Sequence, residues 1–118
     1  MPFCAPQIAF SKRWTGITTA ISETLLSIPN DGLYRITFEL DADASGVPST
    51  QEADITFTFA KTLVSEQMQV SANIQSAANT VAAQTFQIAG STSITLTTEV
   101  DAGSPSPFNV TVVIEQLA

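Results

Sequence analysis

The chain has no histidine, one cysteine, one tryptophan and four cationic side chains among 118 residues. Without histidine it lacks the usual general base near neutral pH and the commonest transition-metal ligand. A lone Cys4 cannot close an intrachain disulfide, so the fold must rest on packing. Cys4 also has no histidine to activate it, and it reads as a small apolar contact rather than a nucleophile. No apolar run approaches the ~18 residues of a membrane-spanning helix. The opening Met1-Pro2-Phe3-Cys4-Ala5-Pro6 carries no basic stretch and no long apolar run, so a secretory signal is not expected. Eleven acids against Lys12, Arg13, Arg35 and Lys61 leave a formal charge of −7. Such a surface repels nucleic-acid phosphates and anionic lipid alike.

What is present is apolar and patterned. A hydrophobic fraction of 44% with only 13% charged residues argues for a folded chain rather than a disordered one. At 118 residues that is one domain, burying roughly two-thirds of the surface an unfolded chain exposes. The clearest segment is Gly32–Leu40, where Tyr34, Ile36, Phe38 and Leu40 alternate with Leu33, Arg35, Thr37 and Glu39. Successive side chains on a strand point to opposite faces, so this is a strand with one face on a core. Pro29-Asn30-Asp31-Gly32 supplies the turn that starts it.

Other segments repeat the pattern. Ile17, Thr19 and Ile21 alternate, and Leu26 and Ile28 precede the turn. Ile55, Phe57 and Phe59 follow a polar loop, and Met68, Val70, Ala72 and Ile74 alternate after them. Phe86 and Ile88, then Ile94 and Leu96, then Phe108, Val110, Val112 and Ile114 complete the series. Short alternating strands separated by turn residues predict an all-β sandwich or barrel. The alanines between Ser71 and Gln84 leave either a short helix or a bend between strands open. Residues 1–16 differ: two prolines, Phe3, Phe10, Lys12, Arg13 and Trp14, with no sustained alternation. They read as an extended N-terminal arm lying along its own domain or a neighbour, with the sandwich occupying residues 17–118.

Chemistry-bearing patterns are few. Two acids across a cleft suffice for a glycosidase, but the acids here fall in loops or at outward positions such as Glu39 and Glu115. Asp41, Asp43, Ser45, Gly46 and Glu52 match the spacing of a calcium loop. The strand-to-strand context lacks the two helices of that motif, and Asp, Ser and Gly serve hairpin turns equally well. No metal and no cofactor is expected. Association is the remaining class of work. Phe3, Phe10, Lys12, Arg13 and Trp14 are candidate partner contacts, tryptophan being enriched at interface hot spots. Leu33, Val113 and Leu117 fall on outward strand faces and are candidates for an oligomer interface.

The run Ser27-Ile28-Pro29-Asn30-Asp31-Gly32-Leu33-Tyr34-Arg35-Ile36-Thr37-Phe38 resembles an inner strand of jelly-roll domains of the complement-globular-head and tumour-necrosis-factor type. The ending from Gly103 to Leu117 is similar to the closing strand of small phage virion proteins of that architecture. The resemblance implies a single antiparallel jelly roll of about eight strands. It further implies a trimer that binds other proteins, here a head-decoration (cement) protein bound to a major capsid protein or another virion component. The alternative is a receptor- or carbohydrate-binding module of a tail or fibre, which requires an exposed aromatic or acid-lined groove.

Overall fold

The structure is a computed structural model that describes residues 7–43, 52–61, 64–73, 80–100 and 107–118. Those residues form eight strands: β1 (Gln7–Ile17), β2 (Ser22–Ile28), β3 (Gly32–Ala42), β4 (Glu52–Lys61), β5 (Val64–Asn73), β6 (Thr80–Ile88), β7 (Thr92–Val100) and β8 (Phe108–Gln116). They build two four-stranded sheets, β1-β8-β3-β6 and β2-β7-β4-β5, with every pairing antiparallel. The chain changes sheet at each connection except that between β4 and β5. Two sheets wound in this order make a jelly-roll sandwich.

The alternation read in β3 is what closes the sandwich. Tyr34, Ile36, Phe38 and Leu40 are buried, and β3 lies between β8 and β6. Phe108, Val110, Val112 and Ile114 of β8 complete that inner face. Ala53, Ile55, Phe57 and Phe59 of β4 and Ile94 and Leu96 of β7 oppose it from the second sheet. Phe38 meets Phe57 edge-on across the middle, with ring centroids 6.3 Å apart. That arrangement adds quadrupole attraction to area burial. Phe86 packs on Phe59 at 4.4 Å, joining β6 to β4 along one open side.

Three local features depart from simple alternation. Ile17 ends β1 rather than starting the next strand, and Thr18–Ile21 link the two sheets. In β2 the register slips between Thr24 and Leu26, so Leu25 is an extra residue and joins the core beside Ile28. A bulge of this kind turns consecutive residues toward one side, which is why period 2 points to Leu26 alone. Thr98 occupies an inward position on β7 and is 2% exposed. Its hydroxyl accepts from the Ile21 amide at 2.9 Å, while its own amide donates to the Ile21 carbonyl at 2.9 Å. A buried hydroxyl so paired carries no desolvation debt.

The segment between Ser71 and Gln84 is strand on both flanks, through Asn73 and again from Thr80. Its centre, 74–79, lies outside the described residues. The Pro29–Gly32 turn does more than start β3. Asp31 accepts from the Gly90 amide at 2.7 Å, and the Ser91 amide donates to the Ile28 carbonyl at 2.7 Å. A Cβ on Gly90 would meet the Asn30 Cα at 2.8 Å, so the two loops touch backbone to backbone only because this residue is glycine.

Candidate functional site

Of the residues expected to form an arm, the described ones, from Gln7 onward, lie along their own domain. They are β1, the edge strand paired with β8, which runs across the expected boundary at residue 16. Register decides which face each side chain takes. Phe10, Lys12 and Trp14 lie opposite Ile114, Val112 and Val110, and so point to the inner side. Ile8, Ser11 and Arg13 lie opposite Glu115, Val113 and Thr111 and point outward.

On the inner side Phe10 and Trp14 are half-buried against the core, with ring centroids 6.4 Å apart. The Trp14 indole donates to Glu23 Oε2 at 3.0 Å, and the Lys12 ammonium donates to Glu23 Oε1 at 3.0 Å. Lys12 Nζ also stands 4.9 Å from the Trp14 ring centroid, within cation–π range. The hydrogen bond from Lys12, then that from Trp14, holds the Glu23 carboxyl below the usual glutamate range. This group of side chains joins β1 to β2 and closes the sandwich on the side opposite Phe59 and Phe86. Trp14 thus packs on its own domain.

On the outer side Arg13 donates to both Asp41 carboxylate oxygens at 3.2–3.3 Å and to the Thr111 hydroxyl at 2.7 Å. The Asp41 hydrogen bond raises the Arg13 pKa further, so the guanidinium is always charged. Asn109, 5% exposed, donates to Asp41 Oδ2 at 3.1 Å and accepts from the Gly16 amide at 3.0 Å. The register shift between Trp14 and Ile17 explains that contact. The backbone bulges there, Gly16 takes a φ of 61°, and its amide turns to the Asn109 side chain. Asp41 is therefore engaged in a strand-to-strand network, while Ser45 lies outside the described residues.

The three residues read as an oligomer interface share the outer face of β1-β8-β3-β6. The Leu117 amide donates to the Leu33 carbonyl at 2.7 Å, placing those two residues side by side, and Val113 lies farther along β8 opposite Thr37. Between them the Arg35 guanidinium grips Glu115 with bonds of 3.0–3.1 Å, which raises the Arg35 pKa. Sequence reading missed the fourth member. Ile8, 69% exposed, sits directly opposite Glu115 and is diagonal to both Val113 and Leu117. The register shift between Ile8 and Phe10 puts it there, and no periodicity in residues 7–10 signals it. Four apolar side chains thus ring one ion pair on an open sheet face. Phe3 lies outside the described residues.

The second sheet carries a different surface. A groove of about 340 Å³ runs where the Ala20–Ser22 segment overhangs the outer face of β7 and β4. Thr97 lies opposite Thr56, and Glu99 opposite Asp54, so two hydroxyls and two carboxylates form its floor. The acid-lined groove required by the carbohydrate-binding alternative is present here, without an aromatic platform among its lining residues. Among the described residues no group of three or more histidine, cysteine, aspartate or glutamate side chains is arranged to hold a metal ion.

No family model and no curated protein sequence matches the chain. Solved structures do match, at low similarity. One contains the CBM22-1 and GH10 modules of the Clostridium thermocellum xylanase 10B complexed with xylohexaose. It is 14% identical, with a TM-score of 0.44 over 77% of this chain and 18% of that one. Another is the infectious bursal disease virus Gx strain, 9% identical, with a TM-score of 0.39 over 97% of this chain and 36% of that one. This chain spans only a minor part of either protein.

Proposed function

We propose that this chain is a non-enzymatic virion structural protein, a capsid decoration (cement) protein that works as a homotrimer through protein–protein contacts. It would bind the major capsid protein or another virion protein, assemble in the host cytoplasm, and use neither cofactor nor nucleic acid. The observation that carries the reading is the outer face of β1-β8-β3-β6, where Ile8, Leu33, Val113 and Leu117 surround the Arg35–Glu115 pair. Apolar side chains gathered on an exposed sheet face, with Ile8 69% exposed, are what a protein–protein contact would cover. Lys12, Arg13 and Trp14 make their contacts within the domain, so their part in partner binding is to hold β1 and its Ile8 in place.

Because β1 is a strand of the sheet, deleting residues 1–16 would damage the fold along with any contact. Point substitutions are the cleaner test. Light scattering on the full chain should give three times the 12.5 kDa chain mass, and the protein should co-sediment with phage heads. Ile8→Glu and Leu117→Glu should each release monomer and abolish co-sedimentation while leaving the circular dichroism spectrum unchanged. A wild-type chain that stays monomeric and never co-sediments sinks the proposal.

A further inference from the structure

We propose that the groove on the outer face of β7 and β4 binds a neutral oligosaccharide, held through its hydroxyl groups. The site lies on the sheet opposite the proposed association face, so the two readings stand or fall separately.

The groove exists because one wall is pinned. Ile21 is bonded to Thr98 by both its amide and its carbonyl, which fixes the connection from β1 against the end of β7. Ile21 and Ser22 then overhang the floor made by Thr97, Thr56, Asp54 and Glu99. At about 340 Å³ the space falls at the lower end of the range for small-ligand sites.

The lining selects the ligand class. Hydroxyls of Ser22, Thr97 and Thr56 follow one another across three adjacent strands, Ser22 opposite Thr97 and Thr97 opposite Thr56. Neighbouring strands are about 4.8 Å apart, and the next outward position along a strand is about 6.7 Å away. The result is a two-dimensional grid of groups that both donate and accept, bordered by two carboxylates that only accept. A single cation could bridge the two carboxylates, which stand directly opposite each other, but would leave the hydroxyl row unmatched. A polyol presents donors and acceptors at several points and satisfies both kinds of group, with its hydroxyl-to-carboxylate bonds the stronger. The described lining contains no cation, so sulfated or sialylated sugars meet two negative charges with no counter-charge. Ile21 offers the one sizeable apolar surface for the C–H face of a sugar ring.

The test uses the full-length chain, neutral hexasaccharides of glucose, mannose and N-acetylglucosamine, a sialylated oligosaccharide, and CaCl2. Backbone amide shifts are followed by NMR, and affinities by isothermal titration. The expected result is saturable binding of at least one neutral hexasaccharide with a Kd of about 1 mM or tighter. The shifts should be confined to β4, β7 and residues 20–22. Thr97→Val and Asp54→Asn should each weaken it about tenfold, roughly one good hydrogen bond, and Ile8→Glu should leave it unchanged. The inference is overturned if none of the three hexasaccharides shifts these amides at millimolar concentration. It is also overturned if Ca²⁺ or the sialylated sugar alone does so, or if binding survives both groove substitutions.

Discussion

Replacing Asn109 with alanine tests how β1 is attached to the rest of the sandwich. The side chain is 5% exposed and makes two bonds, accepting from the Gly16 amide at 3.0 Å and donating to Asp41 at 3.1 Å. The first is a neutral hydrogen bond worth about 1 kcal/mol net, and the second, to a carboxylate, is worth about 1.5–3 kcal/mol. Asp41 is only partly buried, at 20% side-chain exposure, and water recovers part of the second term. The working expectation is a loss of about 2–3 kcal/mol, a large share of the ~5–15 kcal/mol that holds a domain of this kind together. For a chain of this length each kcal/mol moves the melting temperature by about 4 °C, so Asn109→Ala should melt about 8–12 °C lower. Calorimetry gives the number, and amide exchange at Gly16 gives the location, since that N–H loses its acceptor. Asn109→Asp separates the two bonds. It keeps an acceptor for Gly16 but sets a second carboxylate against Asp41, replacing a hydrogen bond with like-charge repulsion. Its melting temperature near neutral pH should therefore fall at least as far as that of Asn109→Ala, while amide exchange at Gly16 stays protected. A fall of less than about 2 °C for Asn109→Ala, with unchanged exchange at Gly16, would refute the idea that this side chain anchors the bulge.

Two further expectations rest on other parts of the molecule. Phe57→Ala removes the ring that meets Phe38 between the sheets and should cost about 3–5 kcal/mol, read by urea denaturation; a loss below about 1 kcal/mol would mean the sandwich is not packed around that pair. The folded-state pKa of Glu23 is depressed by Lys12 and Trp14, so its contribution is present above the unfolded value of about 4.3 and is lost as pH falls through the lower folded value. Trp14, the only tryptophan, should report this as an acid fluorescence transition that Glu23→Gln abolishes, and an unaltered transition in that variant would break the assignment.

Most of the inner face is legible in the sequence. Period-2 runs in β3, β4 and β8 identify Tyr34, Ile36, Phe38, Leu40, Ile55, Phe57, Phe59, Val110, Val112 and Ile114, all of them buried. Alternation works there because these strands sit inside their sheets, with one face on the core and a partner strand on both edges, and none of them carries a bulge of its own. It weakens where registers slip. Leu25 enters the core through a bulge, and Ile8 reaches the outer face through another, neither of which leaves a compositional mark. Thr98 breaks the pattern because a backbone carbonyl and amide from a distant connection satisfy it.

Local sequence, then, determines strand, turn and the side each strand presents, because those depend on neighbours within a few residues of the chain. Which strands become partners is a tertiary matter. Seventy to a hundred positions separate Trp14 from Val110, Tyr34 from Gln116 and Ser22 from Thr97, and only packing of the whole sandwich brings each pair together. Both candidate surfaces depend on those pairings. Ile8 joins Leu117 because β1 lies on β8, and Ser22 joins Thr97 and Thr56 because β7 lies between β2 and β4.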